Sequence, residues 1–140
     1  MEPVKTVTVR HNIETAHRLS QLPGRCENIH GHSMWVELEL TGRVNHHGIL
    51  AGLDFGAIKQ SFRGHLDSTY DHRLLLNEHD ELTALELPGL KVCPADPTTE
   101  NIARWVGEWG VRLFDYPEVD AVAVRVAETH VNAASWRWAR

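Results

Sequence analysis

Apolar and polar residues alternate with a period of two towards both ends of the chain and recur at helical spacing between them. From Thr6 to His17, the residues Val7, Val9, His11, Ile13, Thr15 and His17 share one parity, while Thr6, Thr8, Arg10, Asn12 and Glu14 share the other. This is the pattern of a half-buried strand with His17 on its apolar side. After a loop carrying Pro23-Gly24, the pattern predicts a second strand over Ser33–Leu40, with Met34, Val36, Leu38 and Leu40 facing inward. A first helix is predicted to start at the cap residue Asp54, to carry Phe55, Ile58 and Phe62 on one face, and to stop at Gly64. Residues 67–97 hold no sustained period, only Leu74-Leu75-Leu76 and the apolar positions from Leu85 to Leu90. They read as a long irregular connection, a kind that in compact domains is usually functional.

A second helix is signalled by Asp96-Pro97-Thr98-Thr99-Glu100, which combines a cap residue, a proline and a first-turn acid. Its apolar stripe is Ile102, Trp105, Val106, Trp109 and Leu113. Asp120–His130 reads as a third strand, in which Val122, Val124, Val126 and then Glu128 fall on one parity. Ala133–Ala139 reads as a fourth, with Trp136 and Trp138 on the same face. The order ββααββ predicts an α+β fold, with two helices on a four-stranded antiparallel sheet, as a single domain over residues 1–140. Such a sheet has two open edges, which assembly of several copies would cover.

Composition narrows the partners. A net charge of −5 and the lack of any Lys/Arg run argue against nucleic acid or a membrane surface. The start, Met1-Glu2-Pro3-Val4-Lys5-Thr6, lacks the apolar core of a signal peptide, and no apolar run is long enough for a bilayer, so a cytoplasmic location is expected. Without a secretion signal, Cys26 and Cys93 are expected to be free thiols.

The candidate chemistry lies in Cys26-Glu27-Asn28-Ile29-His30-Gly31-His32. In a strand, residues two apart point to one face, so His30 and His32 are aimed together, with the parity of Met34 and Val36. His17 lies on the apolar face of the neighbouring strand. Buried neutral histidines more often satisfy a hydrogen bond than bind metal. Three aimed at one place match the three-ligand zinc sites that leave a position open. Cys26 is placed to be a further ligand, or a nucleophile or base beside the metal. Asp71-His72 reads by itself as turn chemistry. Glu128, a carboxylate continuing a valine face, is either at the exposed end of the strand or buried with a partner.

Taken together, several motifs resemble the 6-pyruvoyltetrahydropterin synthase / 6-carboxytetrahydropterin synthase family. They are Ala16-His17-Arg18-Leu19, Cys26-x-x-x-His30-Gly31-His32-Ser33, Leu53-Asp54-Phe55, Asp71-His72-Arg73-x-Leu75-x-Asn77, Pro97-Thr98-x-Glu100-Asn101 and Glu128-Thr129. The short Cys26-to-His30 spacing is similar to that of the bacterial carboxy-type enzymes of 7-deazapurine (queuosine) biosynthesis. Met34, where an aromatic is common, and His130 after the Glu-Thr pair depart from the pattern. The resemblance implies the tunnelling fold (T-fold), with subunit sheets joined into a barrel and two trimers stacked as a homohexamer. It implies zinc on His17, His30 and His32, catalysis by Cys26, Asp71 and His72, and substrate binding by Glu128, Thr129, Thr99 and Glu100. The implied substrate is 7,8-dihydroneopterin triphosphate, converted to 6-carboxy-5,6,7,8-tetrahydropterin with release of triphosphate and acetaldehyde. The alternatives are triphosphate elimination alone, giving the 6-pyruvoyl product, and a non-catalytic zinc- or pterin-binding protein with Cys26 as fourth ligand. Arg18, Arg25, Lys59 and Arg73 are the candidates to hold the triphosphate.

Overall fold

The structure, a computed structural model, describes residues 3–140, so Met1 and Glu2, the start of the segment read as lacking a signal-peptide core, lie outside it. Two long strands form its centre: β1 (Lys5–His17) and β2 (His30–Gly42) pair antiparallel without interruption from Lys5 opposite Gly42 to His17 opposite His30. The alternation along both strands produces this pairing, because Val9, Ile13, Met34, Val36, Leu38 and Leu40 must share one face to be buried together. Helices α1 (Phe55–Thr69) and α2 (Thr99–Leu113) cover that face. The first packs on β1, and the second on β5 (Val119–Ala127) and β6 (Ala133–Ala139).

Among the described residues the sheet has six strands rather than four: with β3 (Leu74–Asn77) and β4 (Leu90–Cys93) its order is β4-β3-β1-β2-β5-β6. The extra pair lies inside the stretch that reads as an irregular connection. Both β1–β3 and β3–β4 are parallel pairs, so the sheet is mixed, not wholly antiparallel. Four-residue parallel strands need no polar alternation, and Leu75 and Leu76 are both fully buried. What makes them strands is pairing with residues far away in sequence, such as His17 with Leu75. The strand around Glu128 also ends earlier than its pattern indicates: β5 stops at Ala127, and Glu128 opens the turn to β6.

Both helix boundaries shift for local reasons. Asp54 caps α1 as expected, accepting from the Ala57 N–H, but the helix runs through Gly64 to Thr69. Leu66 continues the buried series Ile58–Phe62, and this packing outweighs the roughly 1 kcal/mol propensity cost of one glycine. Phe55, in contrast, is exposed, as is Leu113 at the end of the α2 stripe. The cap of α2 is Thr98, accepting from the Asn101 N–H, which frees Asp96 for other contacts.

At one position the sheet tolerates no side chain. The β2–β5 register shifts between Thr41 and Gly42, and a Cβ on Gly42 would lie 1.9 Å from the carbonyl oxygen of Glu118. The obstruction is backbone and cannot rotate away. Gly42→Ala is therefore expected to destabilise the fold by about 1–3 kcal/mol through overpacking. A urea titration would show this as a lower midpoint at unchanged slope, and an unmoved midpoint would contradict it.

Candidate functional site

The end of β1 and the start of β2 deliver three imidazoles to one place. His17 lies directly opposite His30, and His32 opposite Thr15, so all three point to the helix-covered face. Their ring centroids are 4.5, 5.2 and 5.0 Å apart, and one nitrogen from each converges within a group whose members all lie within 4.8 Å. The Nδ1 of His17 is 2.7 Å from the carbonyl oxygen of Pro97, and that of His30 is 2.7 Å from the carbonyl of Asn28. A carbonyl only accepts, so each Nδ1 carries the proton and donates, leaving Nε2 as a lone pair. The Nε2 atoms of His17 and His32 are buried without a hydrogen-bond partner. Burial, the largest influence, holds the His17 ring below the ordinary histidine range, so it is neutral at neutral pH. Buried nitrogens that converge with nothing to bond suit a metal ion, and zinc accepts this donor set.

Cys26 lies in a single-turn 3-10 helix, Arg25–Glu27, within the connection from His17 to His30. It is a half-buried free thiol, and its sulfur stands outside the converging group, against the closed four-ligand reading. Its turn is held from both sides. The Leu19 N–H donates to the Cys26 carbonyl at 2.8 Å, and Arg18 Nε donates to the Glu27 carbonyl at 2.8 Å. Arg18 Nη1 also pairs at 2.9 Å with Asp80, whose side chain is fully buried. Arg18 thus braces the loop through two of its five donors. Arg25 and Lys59 are exposed, and Arg73 makes one long bond to the Ser68 carbonyl.

Sequence reasoning missed Asp80, and with it the hub at Asp96, which accepts from Ser20, the Gln21 N–H and Asn77. These contacts join the start of the Cys26 connection to β3 and to the Pro97 carbonyl that orients His17. Only the acidic residues themselves could have hinted at them, because each partner lies at least nineteen residues away.

Glu128 reaches the histidines. Its Oε1 is 3.5 Å from His17 Nε2 and 3.4 Å from His32 Nε2, against one side of the three-nitrogen group. The turn that places it is closed by Thr129, whose hydroxyl accepts from the Val131 and Asn132 N–H groups. Beside Glu128 opens a cavity of about 460 Å³, lined by Thr99 and Glu100 of the first turn of α2, Asn132 and Ser135. Thr99, Glu100 and Glu128 therefore share one cavity, while Thr129 shapes its rim.

Asp71 and His72 are built as a pair but do not join the triad. Asp71 Oδ2 accepts from His72 Nδ1 at 2.7 Å, and its other oxygen accepts from the Glu14 N–H at 2.8 Å. Burial opposes ionisation of Asp71, but the Glu14 N–H and then the His72 ring outweigh it, holding the carboxyl below the usual carboxylate range. His72 sits at φ 58 with an exposed ring. It borders an open pocket of about 530 Å³ whose wall includes Glu14, Ala16, Gly31 and Ser33, of outward parity, and also Thr15 and His32, of the histidine parity. The pair thus opens beside the strand ends that carry the triad, outside the three-nitrogen group.

A mixed sheet with two helices on one face and three histidines at a strand end defines an α+β protein of T-fold type with a candidate metal site. A sequence model described as 6-pyruvoyl tetrahydropterin synthase matches residues 6–138, and the chain belongs to that family. It is 28% identical to a 6-carboxy-5,6,7,8-tetrahydropterin synthase of Rickettsia bellii, over 87% of this chain and 92% of that protein. It is 32% identical to a probable 6-carboxy-5,6,7,8-tetrahydropterin synthase of Halobacterium salinarum, over 84% of this chain and 76% of that protein. Among solved structures it resembles the 6-pyruvoyl tetrahydropterin synthase of Plasmodium vivax, with a TM-score of 0.81 at 18% identity over 99% of this chain and 100% of that one. Among the described residues no helix is long and apolar enough to cross a membrane.

Proposed function

We propose that the protein is a zinc-dependent lyase acting on 7,8-dihydroneopterin triphosphate. The observation that carries this reading is the convergence of unpaired histidine nitrogens beside a carboxylate and a cavity able to receive a heterocycle. Zinc held by His17, His30 and His32 would supply Lewis acidity towards the side-chain hydroxyls of the substrate. The Glu128 carboxylate offers two acceptors to the 2-amino and N3–H donors of a pterin, with the first turn of α2 bordering the same cavity. Cys26, as thiolate, removes a proton from a side-chain carbon, and His72, oriented through Nδ1 by Asp71, exchanges a proton at another. Triphosphate departs as the leaving group. Arg73, beside His72 and with spare donors, is the candidate to meet it.

Two products fit this chemistry. The curated relatives favour the carboxy outcome, in which water cleaves the bond between the two oxygenated side-chain carbons, leaving the carboxylate and releasing acetaldehyde. The description of the family model favours elimination alone, giving the 6-pyruvoyl product. Incubation of the zinc-loaded protein with 7,8-dihydroneopterin triphosphate, followed by mass analysis of the pterin and an acetaldehyde assay, separates them. The carboxylated pterin with one acetaldehyde per turnover is expected. A pyruvoyl pterin without acetaldehyde assigns the second product, and unchanged substrate overturns the enzyme reading.

The placement of Asp71 and His72 also supports assembly. His72 stands outside the three-nitrogen group of its own chain and borders an open pocket, and β4 and β6 are unpaired edges through which a second copy can join. A homohexamer with sites shared between subunits is the arrangement we propose.

A further inference from the structure

Glu128 serves two potential partners from one carboxylate, and this has a consequence for the metal. We propose that Glu128 is a fourth, exchangeable ligand of the metal held by His17, His30 and His32, released from it when a pterin enters the neighbouring cavity. The pterin half of this inference rests on the proposed function; the ligand half rests on geometry alone.

At His17 the geometry is that of an acceptor facing an acceptor. His17 donates its Nδ1 proton to the Pro97 carbonyl, so its Nε2 presents a lone pair, and the Glu128 Oε1 only accepts. At 3.5 Å from that nitrogen, and 3.4 Å from the equally unpartnered Nε2 of His32, the oxygen makes no hydrogen bond. The His17 lone pair and the carboxylate oxygen, brought this close without a shared proton, repel unless a cation lies between them. Zinc ligands at about 2.0–2.1 Å in tetrahedral array stand roughly 3.3–3.4 Å from one another. Both Glu128 distances sit next to that value. Like the Cys26 sulfur, the oxygen lies outside the group of three nitrogens, but it stands within 3.5 Å of two of them, and a shift towards His30 would complete the array.

The carboxylate is also held where exchange is possible. It follows the last residue of β5 in a turn closed by the Glu128 N–H to the Asn132 carbonyl, with its side chain 21% exposed on the cavity side. A pterin that engages both carboxylate oxygens competes with the metal for them. The polyol side chain of the full substrate would replace the lost ligand with its own oxygens, whereas a pterin without such a side chain would not. For the latter, metal and pterin must weaken each other, by equal factors in both directions.

The test uses metal-free protein, a chromophoric zinc chelator, cobalt(II) as a visible probe, and 6-methylpterin, which has no side-chain oxygen. Glu128→Gln is expected to bind zinc at least about tenfold more weakly than wild type. Its cobalt spectrum should differ from that of wild type, and 6-methylpterin should shift the wild-type spectrum towards the variant's. Glu128→Ala removes both oxygens and repeats the comparison where the glutamine amide oxygen still coordinates. Circular dichroism of the metal-free proteins establishes that both variants are folded. Equal zinc affinities and identical cobalt spectra in all three proteins overturn the fourth-ligand assignment. If in that case the variants still lose 6-methylpterin affinity, the pterin reading stands alone. If zinc weakens but 6-methylpterin binds no form of the protein, the ligand assignment holds and the pterin reading of the cavity fails.

Discussion

Alanine at His17, His30 or His32 is expected to lower zinc affinity by two to three powers of ten for each substitution. A structural zinc contributes about 10–16 kcal/mol through four ligands, so one ligand accounts for roughly 2.5–4 kcal/mol, or about 10² to 10³ in affinity. The three substitutions should differ in a second respect. His17 is fully buried and bonded to the Pro97 carbonyl, so its loss also leaves a cavity and an unpaired acceptor. His30 and His32 are only partly buried, and their alanine variants should keep more of the metal-free stability. Affinity is read by competition with a chelator, and stability by urea titration of the metal-free proteins. In wild type, affinity should fall as the pH is taken into the acid range, because the metal needs unprotonated rings. An alanine variant that binds zinc as tightly as wild type would remove that histidine from the site.

Mixing two inactive proteins is expected to restore activity. Cys26→Ala removes the thiol and His72→Ala the exposed imidazole, and each should lower turnover by about 10²–10⁴ as a lost proton-transfer group. Within one chain His72 borders an open pocket against Glu14 and Ser33, and Cys26 is not part of its wall. If each site takes Cys26 from one subunit and His72 from the next, random co-assembly after joint refolding rebuilds about one intact site in four. The mixed preparation should then reach about a quarter of wild-type activity, with zinc content unchanged. Refolded mixtures that stay as inactive as their parents would mean that both groups act within one chain, and would require the 70–73 turn to move. Light scattering on the same samples gives the assembly, for which a hexamer is expected.

The triad and Glu128 are legible in the amino-acid sequence because they depend on strand parity, a local property. An uninterrupted β1–β2 register carries the parity of Val9 and Val36 on to His17, His30 and His32, and the valines of β5 carry theirs one step past the strand to Glu128. The polar supports are not legible in this way. Asp80 and Asp96 look like ordinary turn acids, and only the folded chain brings them to Arg18 and to Ser20 with Asn77. The strands β3 and β4 escape the pattern for a related reason. Their Leu74-Leu75-Leu76 run has no alternation, and their hydrogen-bond partners lie on strands distant in sequence.

The amino-acid sequence by itself determined the two central strands, both helices, the face to which the three histidines point and the family that shares these motifs. Each of these follows from residues within a few positions of one another, where side-chain period and capping chemistry act. Tertiary structure alone decided that the described sheet is six-stranded and mixed, that Arg18 braces a loop, and that Asp71-His72 stands outside the three-nitrogen group on an open pocket of its own. It also decided that Glu128 stands within 3.5 Å of two of the histidine nitrogens. These outcomes depend on how distant segments pair and pack, and no local period encodes such pairing.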